Sequence, residues 1–261
     1  MASSPLNNKL HRMKIMGKWH IGCSGFHYKH WRGTFYPEKL AVKNWFNYYV
    51  EHFDTLELNV TFYRFPQLST FENWYKNSSP DFRFSVKAPR LITHYKKFND
   101  CKRLLDDFYN TLNQGLKEKC GCCLFQLPPS YHYTPERLEK ITGNLDLTFR
   151  NVMEFRHESW WHEEVFRELS RHQISFCGMS HPELPSAIIQ NSPLFYYRFH
   201  GLDQLYASKY SEEQLADFAA EVITHEGIDE AYLFFNNDIN TNAIYNAQSL
   251  QKIFQNLSHK K

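Results

Sequence analysis

Acidic, basic and amide side chains stand near the ends of several short β-rich runs in this sequence. Glu57 and Asn59 are two positions apart in one run, and Glu154 and Arg156 are two positions apart in another. Residues two apart on a strand share a face, so each pair is expected to project to one side of a sheet. A carboxylate beside a guanidinium can perform acid–base chemistry or bind an anion, with a pKa set by burial and by neighbouring charge.

Two further runs carry polar residues in the same phase. Lys87 follows Ser85 by two positions, and His200 follows Arg198 by two, with an apolar residue between them each time. An unpaired buried polar group costs about 1–3 kcal/mol and a buried charge costs more, so a core built only for packing would avoid these residues. The pattern indicates either a ligand pocket or a network of ion pairs that plugs the core.

We divide the candidate site residues by the chemistry of their side chains. Carboxylate, imidazole and amine groups transfer protons or act as nucleophiles, whereas guanidinium, amide and hydroxyl groups bind and orient a substrate. No residue is assigned as a metal ligand. The candidate catalytic residues are Glu154, Glu57, His200 and Lys87. The candidate substrate-binding residues are Arg156, Arg198, Asn59, Gln126, Asn236, Asn237, Tyr28 and Ser24.

The β-rich runs alternate with stretches of helical character, a pattern typical of a parallel sheet wrapped by helices. The candidate residues fall mostly at the C-terminal ends of these runs. The eight predicted strands are His20–Gly25, Thr55–Asn59, Phe82–Ala88, Cys122–Leu127, Asn151–Arg156, Ile174–Ser180, Leu194–His200 and Ala231–Asn237.

Helical periodicity fills most of the gaps between the predicted strands. Apolar residues recur at helical spacing over Glu38–Phe53 and again over Leu104–Leu116. The segment Pro182–Ser192 is too short for a full helix and is expected to cross as a loop.

Two helix starts carry capping signals. Thr134 followed by Pro135 predicts an N-cap and a proline in the first turn of a helix. Ser211 with Gln214 three positions later predicts a capping box. Both helices are expected to follow a strand and return the chain to the start of the next one.

These elements predict an α/β fold of the (β/α)8 TIM-barrel type in a single domain. The barrel is expected over residues 19–257, with a flexible N-terminal extension over 1–18 and a tail over 258–261. The rival arrangement is a doubly wound open sheet. In a barrel the active site lies at the C-terminal ends of the strands, which is where the candidate residues are placed.

The composition narrows the class of protein. The chain has 261 residues, of which 42 % are hydrophobic and 22 % charged, so it is expected to be globular rather than disordered. A formal net charge of +2 is too small to predict nucleic-acid binding by net charge alone. No secretion signal or membrane span is visible, so a cytoplasmic location and no membrane partner are expected.

The six cysteines do not have the spacing of a zinc site. They are expected to be buried reduced thiols. Cys122 and Cys123 are adjacent in a predicted strand, so their side chains are expected to point to opposite faces.

Aromatic residues are frequent in the segments that follow the predicted strands. Most of them are expected to cap the upper edge of the barrel. Two or three beside the mouth would provide a stacking surface for a base or a sugar ring. They are Tyr28, Trp31, Phe62, Tyr63, Tyr95, Tyr131, Trp160, Trp161, Tyr206 and Tyr210.

Several runs resemble the YecE-like family, a domain of unknown function. The matching blocks occur in the order of the family and extend over roughly residues 19–250. They are Ile21–Tyr28, Phe35–Pro37, Glu57–Tyr63, Lys87–Pro89 with Thr93 and His94, Phe125–Pro129, Glu154–His157, Arg198–Gly201 and Phe235–Asp238.

The resemblance implies a TIM barrel and no established activity. A looser likeness to the endonuclease IV and sugar-isomerase barrels implies nucleic-acid or sugar chemistry by analogy of fold alone. The chain departs from the family after the sixth strand, where an Asp is usual and Gly178–His181 stand instead. A role that rests on that acid is therefore not carried over from the family to this chain.

The favoured functional hypothesis is an enzyme that acts on a small phosphorylated or otherwise anionic substrate. Arg156, Arg198 and Lys87 would bind the anion, with Glu154 or Glu57 as acid or base. Hydrolase or lyase/isomerase-like acid–base chemistry is favoured, and no cofactor is assigned. A Schiff base formed by Lys87 is a further alternative.

Two other classes stay open at this point. A metal-dependent phosphodiesterase or endonuclease IV-like hydrolase would hold Mg or Mn through Glu57, Glu154, His200 and Asp238. A non-catalytic nucleic-acid-binding protein would instead use the aromatic segments together with the scattered basic residues Lys29, Arg32, Lys96, Lys97 and Arg103.

Overall fold

The computed structural model describes residues 17–259, within which eight parallel strands close into a barrel in sequence order. The last strand pairs with the first, so the sheet has no free edge. The predicted single-domain (β/α)8 TIM barrel is confirmed, and each predicted strand end lies within two residues of the observed one. The strands are β1 Lys18–Ser24, β2 Thr55–Leu58, β3 Arg83–Lys87, β4 Cys120–Gln126, β5 Asn151–Glu154, β6 Ser175–Ser180, β7 Leu194–Phe199 and β8 Glu230–Phe235.

Helices cover the outside of the barrel. The connection between β6 and β7 runs without a helix, as expected for Pro182–Ser192. Short 3-10 or π turns precede or replace several helices, including a π turn over Leu91–Lys96 after β3. The helices are α1 Trp45–Val50, α2 Val60–Tyr63, α3 Leu68–Lys76, α4 Lys102–Gly115, α5 Pro135–Asn144, α6 Glu163–Arg171, α7 Glu212–Val222 and α8 Asn242–His259.

The first predicted helix is shorter than its periodicity suggested. A helix was expected over Glu38–Phe53, but α1 begins at Trp45, after a 3-10 turn over Val42–Asn44. The physical reason is that Ala41 adopts an extended backbone, with ψ of 138°, which prevents the helix from starting earlier.

Both predicted caps are confirmed. The Thr134 hydroxyl accepts a hydrogen bond from the Arg137 amide, and Pro135 occupies the first turn of α5. Ser211 and Gln214 form the reciprocal capping box at the start of α7. These short-range bonds need only local sequence, which is why the residue pattern was sufficient to predict them.

The predicted boundaries of the barrel need correction at both ends. β1 begins at Lys18, inside the predicted extension, and the rest of that extension over 1–16 lies outside the described residues. The tail was predicted from residue 258, but α8 continues to His259. Neither Gly nor Pro interrupts α8, so no residue in it forces an earlier end.

Two clusters of apolar side chains pack on opposite sides of the barrel wall. The larger cluster lies between strands and helices and includes Leu56, Phe155 and Phe199, as the strand phase predicted. The smaller cluster fills the barrel interior and includes Tyr196 and Tyr232. The polar side chains of the same strands therefore face the barrel axis above this inner cluster.

The adjacent cysteines follow the same alternation. Cys122 belongs to the inner cluster and Cys123 to the outer one, so their side chains point to opposite faces as expected. All six cysteines are free thiols. Within the described part of the chain, every helix is too short or too polar to span a bilayer.

Substituting Ser211 by Ala is expected to lower the free energy of unfolding by about 1 kcal/mol, because the N-cap bond of α7 is lost. Ser170→Ala is the matched control, since Ser170 is exposed inside α6 and caps nothing. The control should change stability by less than about 0.5 kcal/mol. Urea unfolding of both variants measures the difference, and equal effects would contradict the assigned cap.

Candidate active site

Arg198 of β7 is the centre of a buried ion-pair network in the upper barrel. Its Nε and Nη2 donate to the two carboxylate oxygens of Glu57, at 2.9 and 2.6 Å. Its Nη1 donates to Glu154 Oε2 at 2.6 Å. All three side chains are at most 1 % exposed. One guanidinium on β7 is therefore shared by carboxylates from β2 and β5.

Arg156, two residues beyond the end of β5, supplies the second guanidinium. Its Nε donates to Glu154 Oε1, and its Nη2 lies 2.9 Å from His200 Nε2. Among the described residues, Nη1 of Arg156 has no hydrogen-bond partner. This side chain is 8 % exposed, so it retains donor capacity where solvent can still reach it.

His200 is held as a neutral imidazole by its neighbours. Its Nε2 faces Nη2 of Arg156 and lies 3.3 Å from Nη1 of Arg198. Guanidinium groups only donate, so Nε2 must accept and the ring proton lies on Nδ1. Burial, followed by the charges of Arg156 and Arg198, lowers the pKa of His200 well below its ordinary value.

The amide of Asn236 completes the environment of this imidazole. Its Nδ2 is placed 3.1 Å from His200 Nδ1. An N–H on Nδ1 requires an acceptor, so the amide rotamer that turns its oxygen toward the ring satisfies both groups. Asn236 thereby fixes the tautomer and orientation of His200.

A hydroxyl pair supports Glu57 from below. The Tyr196 hydroxyl donates to Glu57 Oε2 at 2.6 Å, and Ser85 Oγ lies 2.7 Å from the same hydroxyl. These residues project from β7 and β3 into the barrel interior and are fully buried. The lone pairs of Glu57 are thus satisfied by a guanidinium and a phenol together, which lets a carboxylate lie in the core.

The charges around Glu154 keep it ionised. Burial raises its pKa, but Arg156 and Arg198 outweigh that effect and bring the pKa to about 2. The same attraction raises the pKa of Arg198 far above its ordinary range, although burial alone would lower it. At neutral pH this carboxylate is therefore an anion that holds two guanidinium groups.

Lys87, the last residue of β3, has a different environment. Its side chain is buried and its Nζ lies 4.3 Å from the centre of the Phe62 ring. Among residues 17–259, no carboxylate forms a salt bridge with it. Burial, followed by the charge of Arg198, lowers the pKa of Lys87 to about 7.

His94 was not among the candidates, although the structure places it beside Lys87 and Gln126. Its Nε2 lies 3.4 Å from the Gln126 side-chain nitrogen, and its Nδ1 lies 2.9 Å from the Thr93 hydroxyl. Burial, followed by the charge of Lys87, lowers the pKa of His94 to about 4. His94 lies on a π turn, where the alternation of side chains along a strand does not apply. In the sequence, it was distinguished only by its position in a block that resembles the YecE-like family.

A cavity of about 490 Å³ opens at the mouth of the barrel. Its wall includes Gln126, Arg156, His181, Glu183, Asp203 and Tyr206. Larger depressions of about 610 and 570 Å³ lie elsewhere on the molecule and contain no residue of the ion-pair network. Arg156 therefore connects the buried network to open space.

Three predicted binding residues lie together at the ends of β1 and β2. The Tyr28 hydroxyl donates to the Ser24 carbonyl at 2.6 Å. Gly25 has a φ of 98°, and a Cβ there would lie 2.8 Å from the Tyr28 hydroxyl, so glycine permits this close contact. Ser24 Oγ and Asn59 Oδ1 are buried without a hydrogen-bond partner among the described residues.

Asn237 is placed differently from its neighbour Asn236. It is fully buried, and its Nδ2 donates to the Ser208 carbonyl and to Asn246 Oδ1, both at 2.9 Å. Asn237 thus ties the end of β8 to α8 and to the loop after β7. Of the other predicted residues, seven lie in the ion-pair network or line the mouth cavity: Glu57, Glu154, Arg156, Arg198, His200, Asn236 and Gln126.

The aromatic residues of the loops divide by exposure. Trp31, Tyr131, Trp160 and Tyr210 are buried, as expected for residues that cap the upper edge. Tyr63 and Tyr95 are 70 % and 65 % exposed. The Arg90 guanidinium lies 5.9 and 5.5 Å from these two rings, which forms an exposed aromatic surface on the loops after β2 and β3.

The model of a family described as Protein of unknown function DUF72 matches residues 20–261. The chain belongs to the DUF72 family. Similar proteins include UPF0759 protein YunF of Bacillus subtilis, 22 % identical over 84 % of this chain and 90 % of that protein. UPF0759 protein YecE of Escherichia coli K12 is 28 % identical over 43 % of this chain and 42 % of that protein. The resemblance to the YecE-like family is confirmed.

Solved DUF72 structures have the same fold. A DUF72 family protein of Thermotoga maritima has a TM-score of 0.83 and 30 % identity, over 91 % of this chain and 99 % of that one. A DUF72 family protein of Enterococcus faecalis has a TM-score of 0.79 and 18 % identity, over 91 % and 95 %. The family description names no activity, so function must be argued from the site.

The side chains of this DUF72 barrel do not converge as a metal site. Glu57 and Glu154 accept hydrogen bonds from guanidinium groups, and His200 Nε2 faces the same two groups. Asp238 lies instead against His30, 3.6 Å from its Nε2. Within the described ranges, no three His, Cys, Asp or Glu side chains are grouped as ligands. The Mg or Mn alternative finds no support in this arrangement.

Replacing Glu154 by Gln in this DUF72 protein is expected to flatten the acid limb of its stability profile. The pKa of Glu154, about 2 in the folded protein, lies below its ordinary value of 4.5. Its stabilising contribution is therefore present above pH 4.5 and is lost as the pH falls toward 2. Urea unfolding across this window should show a smaller loss of unfolding free energy for Glu154→Gln than for the wild type.

The matched control is Glu226→Gln, which alters an exposed carboxylate outside the barrel. Its profile should follow that of the wild type. Glu230, whose pKa is also about 2, contributes equally in all three proteins and does not affect the comparison. Parallel profiles for the wild type and Glu154→Gln would contradict the account of this network.

Proposed function

We propose that this DUF72 protein is an enzyme that binds a small phosphorylated or otherwise anionic substrate at the C-terminal mouth of its barrel. The observation that carries the proposal is the placement of Arg156. This guanidinium lines the mouth cavity and has uncommitted donors, whereas Arg198 is occupied by two carboxylates beneath it. Of the candidate substrate-binding residues, Arg156 is therefore the one best placed to bind an anion.

The balance of charge supports an anionic ligand. The two buried carboxylates, Glu57 and Glu154, are matched by the guanidinium groups of Arg198 and Arg156. A protonated Lys87 adds a positive charge that no carboxylate of residues 17–259 neutralises by direct contact. An anion at the mouth would favour the protonated form of Lys87 and would pair with it and with Arg156.

Acidic residues also line the cavity, but they lie at its outer rim. Glu183 and Asp203 are exposed to solvent, while the Arg156 side chain is 8 % exposed. Water screens exposed charges strongly and buried charges weakly. The field near the floor of the cavity is therefore governed by Arg156 rather than by the acidic rim.

The environments of the titratable groups favour Lys87 for proton transfer. A pKa of about 7 allows it to accept and donate protons near neutral pH. Glu154, with a pKa of about 2, and His200, with a pKa far below its ordinary value, hold the guanidinium groups and stay unprotonated. We therefore assign acid–base chemistry to Lys87 and substrate binding to Arg156. The buried network that supports them consists of Glu57, Glu154 and Arg198.

Inorganic phosphate is expected to raise the melting temperature of the wild-type protein by several degrees, since a ligand that binds only the folded state stabilises it. Arg156→Gln should lose most of that shift, because it removes the free guanidinium donors at the mouth. Differential scanning fluorimetry, with sodium chloride at matched ionic strength as the reference, measures the shift for each protein.

Arg167→Gln is the control variant, because Arg167 is an exposed arginine on α6 outside the mouth. It should retain the phosphate-dependent shift. The anion-binding proposal fails if phosphate stabilises no more than chloride, or if Arg156→Gln keeps the full shift.

A further inference from the structure

The Lys87 amine is buried at the end of β3 and is stabilised only weakly as an ammonium. Its side chain is 9 % exposed, and the Phe62 ring lies 4.3 Å from Nζ. A salt bridge to a carboxylate is absent among residues 17–259. The Phe62 ring attracts an ammonium less strongly than a carboxylate would, and burial lowers the pKa of Lys87 to about 7, so the neutral amine is well populated at neutral pH.

The charges that face Lys87 oppose each other. Arg198 and Arg156 lower its pKa, while Glu154 and Glu57 raise it, and burial is the largest effect, bringing the pKa to about 7. A neutral amine carries a free lone pair and is a nucleophile, which an ammonium is not. At neutral pH a large fraction of Lys87 is therefore in its nucleophilic form.

A hydrogen bond fixes the main chain at Lys87. The Thr61 hydroxyl lies 2.6 Å from the Lys87 carbonyl, which joins the end of β3 to α2, the helix that carries Phe62. Phe62 in turn packs edge-on against His94, with ring centres 4.9 Å apart. The strand end that carries Lys87 and the ring that contacts its Nζ are therefore tied to each other, which limits the positions open to the amine.

We propose that Lys87 forms a Schiff base with an aldehyde or ketone substrate whose anionic group is bound by Arg156. This inference rests on the proposed anion site and names the substrate class: a small carbonyl compound that carries a phosphate or carboxylate. It assigns to Lys87 a covalent role in addition to the proton transfer described above.

The chemistry balances without a further reactant. The Nζ lone pair attacks the carbonyl carbon, the C=O π pair moves to oxygen, and a proton passes from nitrogen to oxygen to give a carbinolamine. One proton from solvent converts that hydroxyl to water, and the nitrogen lone pair expels the water to give the iminium directly. The nearby charges of Glu154 and Glu57, which already favour a cation at this position, stabilise the iminium.

Pyridoxal 5′-phosphate is a suitable probe, since it carries an aldehyde and a phosphate on one small molecule. The protein is incubated with the probe, reduced with borohydride and mapped by peptide mass spectrometry. Lys87 is expected to be labelled roughly tenfold or more faster than Lys252, an exposed lysine on α8. Arg156→Gln should slow labelling of Lys87 by roughly tenfold, because a charge-assisted bond to the phosphate is lost.

Two variants separate a reactive lysine from a structural one. Lys87→Met keeps a side chain of similar length and removes a buried amine, so this variant should fold and should no longer be labelled rapidly. Lys252→Met should still be labelled rapidly at Lys87. Competitive labelling with acetic anhydride over a range of pH should show Lys87 reactivity rising with a midpoint near pH 7. A melting curve of each variant verifies folding.

The outcomes separate the Schiff base from the anion site. Lys87 labelling no faster than that of Lys252 would overturn the Schiff base, even if phosphate still stabilises the protein through Arg156. Fast labelling by pyridoxal 5′-phosphate that Arg156→Gln leaves unchanged would overturn the pairing of the two residues. Fast, Arg156-dependent labelling confined to Lys87 would support the inference.

Discussion

The upper half of this barrel depends on one constraint, the sharing of the Arg198 guanidinium between Glu57 and Glu154. Three buried charges from β7, β2 and β5 can remain in a closed barrel only because their donors and acceptors are matched. Removing one partner of such a group costs about 3–5 kcal/mol, since an uncompensated charge is left in the core. The Tyr196 hydroxyl completes the set by satisfying a further lone pair of Glu57.

This constraint determines which cations are available to a ligand. Both edges of the Arg198 guanidinium are bonded to carboxylates below the mouth. Arg156 donates to Glu154 through Nε and to His200 through Nη2, which leaves Nη1 without a partner among the described residues on a side chain that lines the cavity. The charges of the same carboxylates also act on Lys87, which forms no salt bridge with either of them. The network therefore does more than fill the barrel interior, because it also orients the Arg156 side chain that lines the cavity.

Strand phase accounts for most of what could be predicted from the sequence. Alternation along the strands placed Glu57, Glu154 and Arg198 on the barrel axis, because side-chain direction in a strand follows from position alone. The pairing of Arg198 with both glutamates could not be predicted, since it depends on distances across the barrel. Phe62 was expected at the upper edge of the barrel, but its contact with Lys87 could not be predicted, because Phe62 lies on the four-residue helix α2, which is too short for a periodic signal. His94 lies on a π turn, which has no such signal either.

The central claim is that Arg198 is structural and Arg156 receives the ligand. A high-resolution crystal structure of the wild-type protein with inorganic phosphate tests this claim most directly. The account predicts phosphate oxygens bonded to Arg156, with Arg198 still bridging Glu57 and Glu154. A phosphate bound to Arg198 with either glutamate displaced, or an empty mouth at a saturating phosphate concentration, would contradict it.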